Sequence, residues 1–182
     1  MKQAFSCFIF LLSVTFLVNA QPASADQILK EARAEAAKEN KKVFVIFHAS
    51  WCGWCHKMDS AMNDPACKKF FDDNFVVQHL VVMESKGKEH LQNPGALELM
   101  KQYAGEQSGI PFWLIFNSEG KLLADSKIRT AGASLDAPGE NSGCPASEKE
   151  VANFIKVLQQ TTSLNQQQLL IVQHRFRQNE SK

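Results

Sequence analysis

Cys52-Gly53-Trp54-Cys55 constrains this chain more than any other segment. Two thiols separated by two residues can close a disulfide within one helical turn or share one metal. The pair follows an unbroken apolar run, Val43-Phe44-Val45-Ile46-Phe47, and precedes His56-Lys57-Met58-Asp59-Ser60-Ala61-Met62, which reads as helix. Strand, Cys-x-x-Cys, helix is a setting for redox chemistry. His56 extends the string to Cys-x-x-Cys-His, the pattern for covalent haem attachment, so a c-type haem with Met83 or Met100 as distal ligand is a rival reading. A zinc module using Cys67 or a histidine is another, but no second pair stands at zinc-ribbon spacing.

The first twenty residues read as a secretory signal peptide. Lys2 gives a positive start, Phe8 to Val18 is apolar, and Val18-Asn19-Ala20 offers a small-residue exit. Ala23-Ser24-Ala25 is a second candidate cleavage site. The apolar stretch is shorter than the ~20 residues a membrane span needs, so no membrane insertion is expected once the signal is removed. Lys2 is the only charge in residues 1–20, and without it acidic and basic residues are equal in number. No basic surface for nucleic acid is implied. Export would place Cys52, Cys55, Cys67 and Cys144 where disulfides persist.

Periodicity predicts helices over 26–42, 52–62, 65–72, 94–103 and 148–159, and strands over 43–47, 75–83 and 112–116. Asn117-Ser118-Glu119-Gly120 turns the third strand into a hairpin partner over 121–126. Residues 130–147 read as a long surface loop. Ser147 with Glu150 forms a capping box. Residues 161–182 read as an extension, a helix over 164–176 followed by a disordered tail. Alternating strands and helices imply parallel early strands in a central mixed sheet flanked by helices.

The run Phe47-His48-Ala49-Ser50-Trp51-Cys52-Gly53-Trp54-Cys55, the Ile110-Pro111 step directly before the hairpin, and the element order resemble the thioredoxin superfamily. The resemblance covers residues 26–160. It is nearest the secreted branch with Trp-Cys-x-Trp-Cys before a Lys- and Met-containing helix. It implies a thioredoxin-like α/β fold and exchange chemistry without a cofactor or metal, acting on cysteine-containing protein substrates. A cis bond at Pro111 is implied, with Ile110 offering its peptide groups to an incoming strand and Pro111 lying against the sulfurs. Trp51, Gly53 and Trp54 would border the substrate. The resemblance also raises a structural disulfide between Cys67 and Cys144, and it favours the periplasm over an extracellular location. There a membrane-bound donor would supply electrons. In two respects the chain departs from the pattern. The family's buried acid, six residues before the first cysteine, is Ile46 here, and the dipeptide between the cysteines is Gly-Trp.

Independently of any relative, a cysteine at a helix N-terminus faces unpaired N–H groups and the positive end of the dipole, which favour the thiolate. That assigns Cys52 as the attacking nucleophile and Cys55, one turn on, as the resolving thiol. His56 is a candidate modulator of the pair's pKa. A non-catalytic binding domain of the same fold, a disulfide oxidase and an isomerase remain alternatives. Gly53 where strong oxidants carry Pro, and the absence of a cation between the cysteines, favour a reductase or interchange protein.

Overall fold

The computed structural model describes residues 21–180, so the signal segment expected over 1–20 lies outside the described residues. The elements in chain order are α1 (Ala25–Glu39), β1 (Lys42–His48), α2 (Gly53–Met62), α3 (Lys68–Asn74), β2 (Phe75–Val81), α4 (Ala96–Gln102), β3 (Phe112–Phe116), β4 (Leu122–Asp125), β5 (Lys127–Ile128), β6 (Glu140–Asn141), α5 (Glu148–Thr161) and α6 (Gln166–Arg177). The main sheet has the order β2-β1-β3-β4. β1 runs parallel to β2 and antiparallel to β3, and β4 adds an antiparallel edge. This is the mixed α/β sheet flanked by helices that the sequence predicts.

The continuous apolar runs follow from burial on both faces, since alternate side chains of a strand point to opposite sides. Phe44 and Ile46 of β1 and Trp113 and Ile115 of β3 join one core with Met58 of α2, Phe71 of α3, Phe154 and Leu158 of α5, and Phe176 of α6. Val43, Val45 and Phe47, with Phe112, Leu114 and Phe116, join the other under Ala32 and Ala36 of α1 and Met100 of α4. Small alanines let α1 approach the sheet closely. Ser24 caps α1 by accepting the Gln27 N–H, and Ser147 and Glu150 form the expected capping box on α5.

Two parts of the chain differ from expectation. The segment read as an extension is core: Leu169, Val172 and Phe176 of α6 are buried, and the Phe176 ring lies 4.9 Å from that of Phe154. Their i, i+3, i+7 spacing makes one apolar stripe, which the exposed end of the first core receives. Asn179, in the expected disordered tail, is buried too. The loop after the hairpin is likewise only partly a surface loop. Arg129 binds both Asp125 carboxylate oxygens at 2.6 Å and donates to the carbonyls of Leu135 and Ala137, which orders the turn. β5 and β6 then pair, and Ser142 to Ala146 is buried against the domain. Among the described residues no helix is long and apolar enough to cross a membrane.

Phe176→Ala removes a fully buried ring from the first core, which costs about 3–5 kcal/mol. Urea unfolding of the variant should show a lowered midpoint in one cooperative transition. An unchanged midpoint would place α6 outside the cooperative unit.

Candidate functional site

β1 ends at His48, and the four residues 49–52 carry the chain to the start of α2. Cys52 is the N-cap of α2, in an extended conformation, and its Sγ accepts the backbone N–H of Cys55 at 3.1 Å. Cys52 and Cys55 are joined by a disulfide. Both are almost fully buried, at 3% and 1% exposure, so they differ in position on the helix rather than in accessibility. Because the Cys55 N–H points at Cys52 Sγ, the thiolate released on reduction would keep a charge-assisted hydrogen bond there. Trp51 and Trp54 flank the pair and are 55% and 44% exposed. A Cβ at Gly53 would meet nothing within 4 Å, so the space above the disulfide is open.

The antiparallel register of β1 on β3 pairs Phe47 with Phe112 and so brings the residues before β3 to the same edge. The Ile110-Pro111 bond there is cis. The Ile110 carbonyl oxygen lies 3.6 Å from Cys52 Sγ. In the disulfide that sulfur has no proton to donate, so this is a contact; the reduced thiol could donate across it.

The loop before Cys52 is fastened by residues the sequence did not single out. Glu84 accepts the Ser50 N–H at 2.6 Å and the Ser50 hydroxyl at 2.8 Å, and the Trp51 indole N–H donates to the Met83 carbonyl at 2.8 Å. Trp51 thus does not close the buried strand. It stands in solvent with one edge tied down. His56, the candidate modulator, has Nε2 3.1 Å from the Ser50 carbonyl oxygen. Lys57 is not simply a solvated charge: Nζ sits 4.2 Å over the Trp54 ring and donates to the Asn179 carbonyl. Behind these, His79 contacts Asp59 at 2.8 Å and meets His48 edge to face. Burial, reinforced by His79, lowers the His48 pKa, which favours its neutral form. Ile46, at the family's acid position, is a buried core residue.

Cys67 and Cys144 do not form the expected bridge; both are free and buried. Side chains of α6 engage the two segments instead. Arg175 pairs with Asp64 near Cys67 and donates to Asn179 Oδ1, while Asn179 Nδ2 donates to Cys144 Sγ at 3.3 Å. Burial pushes the Cys67 thiol up to about 11 and the Cys144 thiol up to about 12. Neither is an available nucleophile near neutral pH.

A disulfide at a helix N-terminus beside a cis-proline, on a mixed sheet covered on both faces, defines a thioredoxin-like redox fold. The chain belongs to the thioredoxin-like family, whose model matches residues 24–118. Among solved structures it is similar to the disulphide isomerase of Xylella fastidiosa Temecula1 (25% identity over 68% of this chain and 86% of that one, TM-score 0.48). It is also similar to a DsbH oxidoreductase (21%, 84% and 95%, 0.44) and to the oxidised C-terminal domain of Neisseria meningitidis DsbD (19%, 78% and 99%, 0.46). No curated protein matches it.

The Ser50 backbone N–H, ahead of its hydroxyl, holds the Glu84 carboxyl below the usual carboxylate range. A depressed folded pKa gives stability that is present above the unfolded value of ~4.3 and is lost as pH falls through the folded one. Glu84→Gln should therefore melt below wild type at neutral pH, and the gap should close in acid; a gap independent of pH would assign Glu84 a purely steric role. Alkylation offers a second check. After reduction at neutral pH, iodoacetamide should label Cys52 and Cys55 readily, and Cys67 and Cys144 only after denaturation.

Proposed function

We propose that the protein is an exported thiol–disulfide oxidoreductase that reduces or interchanges disulfides in cysteine-containing proteins through Cys52 and Cys55. The observation that carries this reading is the placement of Cys52: N-cap of α2, hydrogen-bonded by the Cys55 N–H, with the Ile110 carbonyl 3.6 Å away. In the reduced form the Cys52 thiolate attacks one sulfur of a substrate disulfide. A mixed disulfide forms and one substrate thiolate leaves. Cys55, deprotonated as it attacks, then displaces the second substrate thiolate from Cys52 and closes the Cys52–Cys55 bond. Two electrons pass to the substrate, and its two thiolates take up the two protons lost by the cysteines. A dithiol donor must then reduce the pair again. For a protein exported to the periplasm, a membrane-bound relay is the donor we favour.

The electrostatics support reduction over oxidation. A strongly stabilised thiolate makes a disulfide a strong oxidant. Here the two nearest basic side chains are engaged elsewhere, His56 with the Ser50 carbonyl and Lys57 with Trp54 and Asn179. The helix terminus acts on Cys52 with no cation directed at it. Ile110, with Pro111, would receive the backbone of an extended substrate, and exposed Trp51 and Trp54 would supply apolar contact beside the sulfurs. Export is supported by the apolar pattern of residues 1–20. Cleavage after Ala20 fits the domain better than cleavage after Ala25, because Ser24 caps α1 and the Ala25 N–H donates to the Pro94 carbonyl.

Cys52→Ser should abolish turnover, whereas Cys55→Ser should accumulate mixed disulfides visible on non-reducing gels. Equal, mild effects would sink the nucleophile assignment. Equilibration with glutathione should give a potential near thioredoxin's (~ −270 mV); a value near that of the strong oxidant DsbA (~ −120 mV) would reverse the direction.

A further inference from the structure

The match to the thioredoxin-like family ends at residue 118, yet part of the active-site surface comes from later in the chain. A groove of about 260 Å³ opens between Trp54 and the strap Asn141–Ala146, with Ile110 and Pro111 on its floor. It adjoins the disulfide directly, because Trp54 lies between the two cysteines and the Ile110 carbonyl contacts Cys52 Sγ.

Asn141 fastens this strap to the cis-proline loop. Its Nδ2 donates to the carbonyls of Ser108 at 2.9 Å, Pro111 at 3.1 Å and, more weakly, Gly109 at 3.4 Å. Its Oδ1 accepts the Gly143 N–H at 3.1 Å. The strap is itself held from behind. Trp113 Nε1 donates to the Gly143 carbonyl, the Ser142 hydroxyl to the Ser126 carbonyl, and Arg177 of α6 to the Ala146 carbonyl. Gly143 adopts a positive φ of 53°, and a Cβ there would come within 3.3 Å of the Pro111 carbonyl oxygen. The strap therefore lies as close to Pro111 as its backbone allows.

We infer that the strap is a second wall of the substrate groove and that Asn141 is a positioning residue, holding the Ile110-Pro111 loop at the distance from the strap that admits an extended polypeptide segment flanking a disulfide. The side chain entering the groove is uncharged. Trp54, Ile110, Pro111 and Ala146 present carbon to it, and one Glu150 carboxylate oxygen already accepts the N–H groups of Ala146 and Ser147. This inference rests on the thiol–disulfide reading above.

The test compares full-length wild type with Asn141→Asp and Ser108→Phe, using dithiothreitol as donor and two substrates: disulfide-bonded insulin and hydroxyethyl disulfide, which is too small to span the groove. Asn141→Asp deletes the donor and keeps the acceptor for Gly143. Ser108→Phe narrows the groove without touching the latch, and it remains informative if the first variant folds poorly. The expected result is an insulin KM raised about tenfold, with kcat changed less, so that selectivity for insulin over the small disulfide falls about tenfold. Equal loss on both substrates, or selectivity within about twofold of wild type in both variants, would overturn the groove assignment. Wild-type protein that reduces neither substrate would overturn the exchange reading, and this inference with it.

Discussion

The antiparallel pairing of β1 with β3 is the constraint on which the site depends. Phe47 opposes Phe112 in that register. Cys52 follows Phe47 by five residues, and Pro111 precedes Phe112 by one, so a single pair of buried strands delivers the disulfide and the cis-proline to one edge. The pairing is fixed by burial on both faces. A one-residue slip would send Phe44, Ile46, Trp113 and Ile115 into the α1–α4 side of the sheet and their neighbours into the opposite core. Each core is filled by side chains of defined shape, so neither accepts the exchange without voids or overlap. The catalytic geometry is thus inherited from hydrophobic packing some distance from the sulfurs.

That origin explains which features were legible in the sequence. Strand runs, helix stripes, the capping box at Ser147 and the cysteine pair each leave a local signature, because burial and backbone chemistry impose a period or a residue type on neighbours in the chain. Glu84 and Asn141 leave none. Each is one polar residue in a polar stretch, and its role arises only when a segment 34 residues away, for Glu84, or about 30, for Asn141, folds back against it. The α6 helix is an intermediate case. Its apolar stripe was readable, but its receiving surface was not, since that surface is assembled from α3 and α5. The Cys67–Cys144 expectation failed for the same reason: proximity to one core was inferable, whereas the Arg175 and Asn179 side chains that engage the two segments were not.

The charges around the pair fasten the scaffold more than they tune the sulfurs. Glu84 is committed to Ser50, Asp59 to His79, His56 to the Ser50 carbonyl, and Lys57 to Trp54 and Asn179. Ile46 removes the carboxylate that the family places behind the pair. The influence left on Cys52 is the end of α2 itself, through the Cys55 N–H and the helix dipole, an effect confined to the first turn. Such a site can make Cys52 the nucleophile without strongly stabilising the dithiol form, which is the balance a reductant needs.

The division of the chain at residue 118 then acquires a physical meaning. The earlier part holds both cysteines, Pro111 and the strands that align them, which suffices for exchange at an open surface. The later part adds β4 to the sheet, α5 and α6 to the first core, and the strap to one side of the sulfurs. Its attachments are redundant: Trp113 from the sheet, Ser126 from the end of the hairpin and Arg177 from α6 all bind it. A segment held from three directions is rigid, and a rigid wall beside a reactive sulfur discriminates among substrates by shape, because it cannot yield to a poorly fitting one without breaking buried hydrogen bonds. Selectivity in this protein is therefore built by the same C-terminal elements that complete its core.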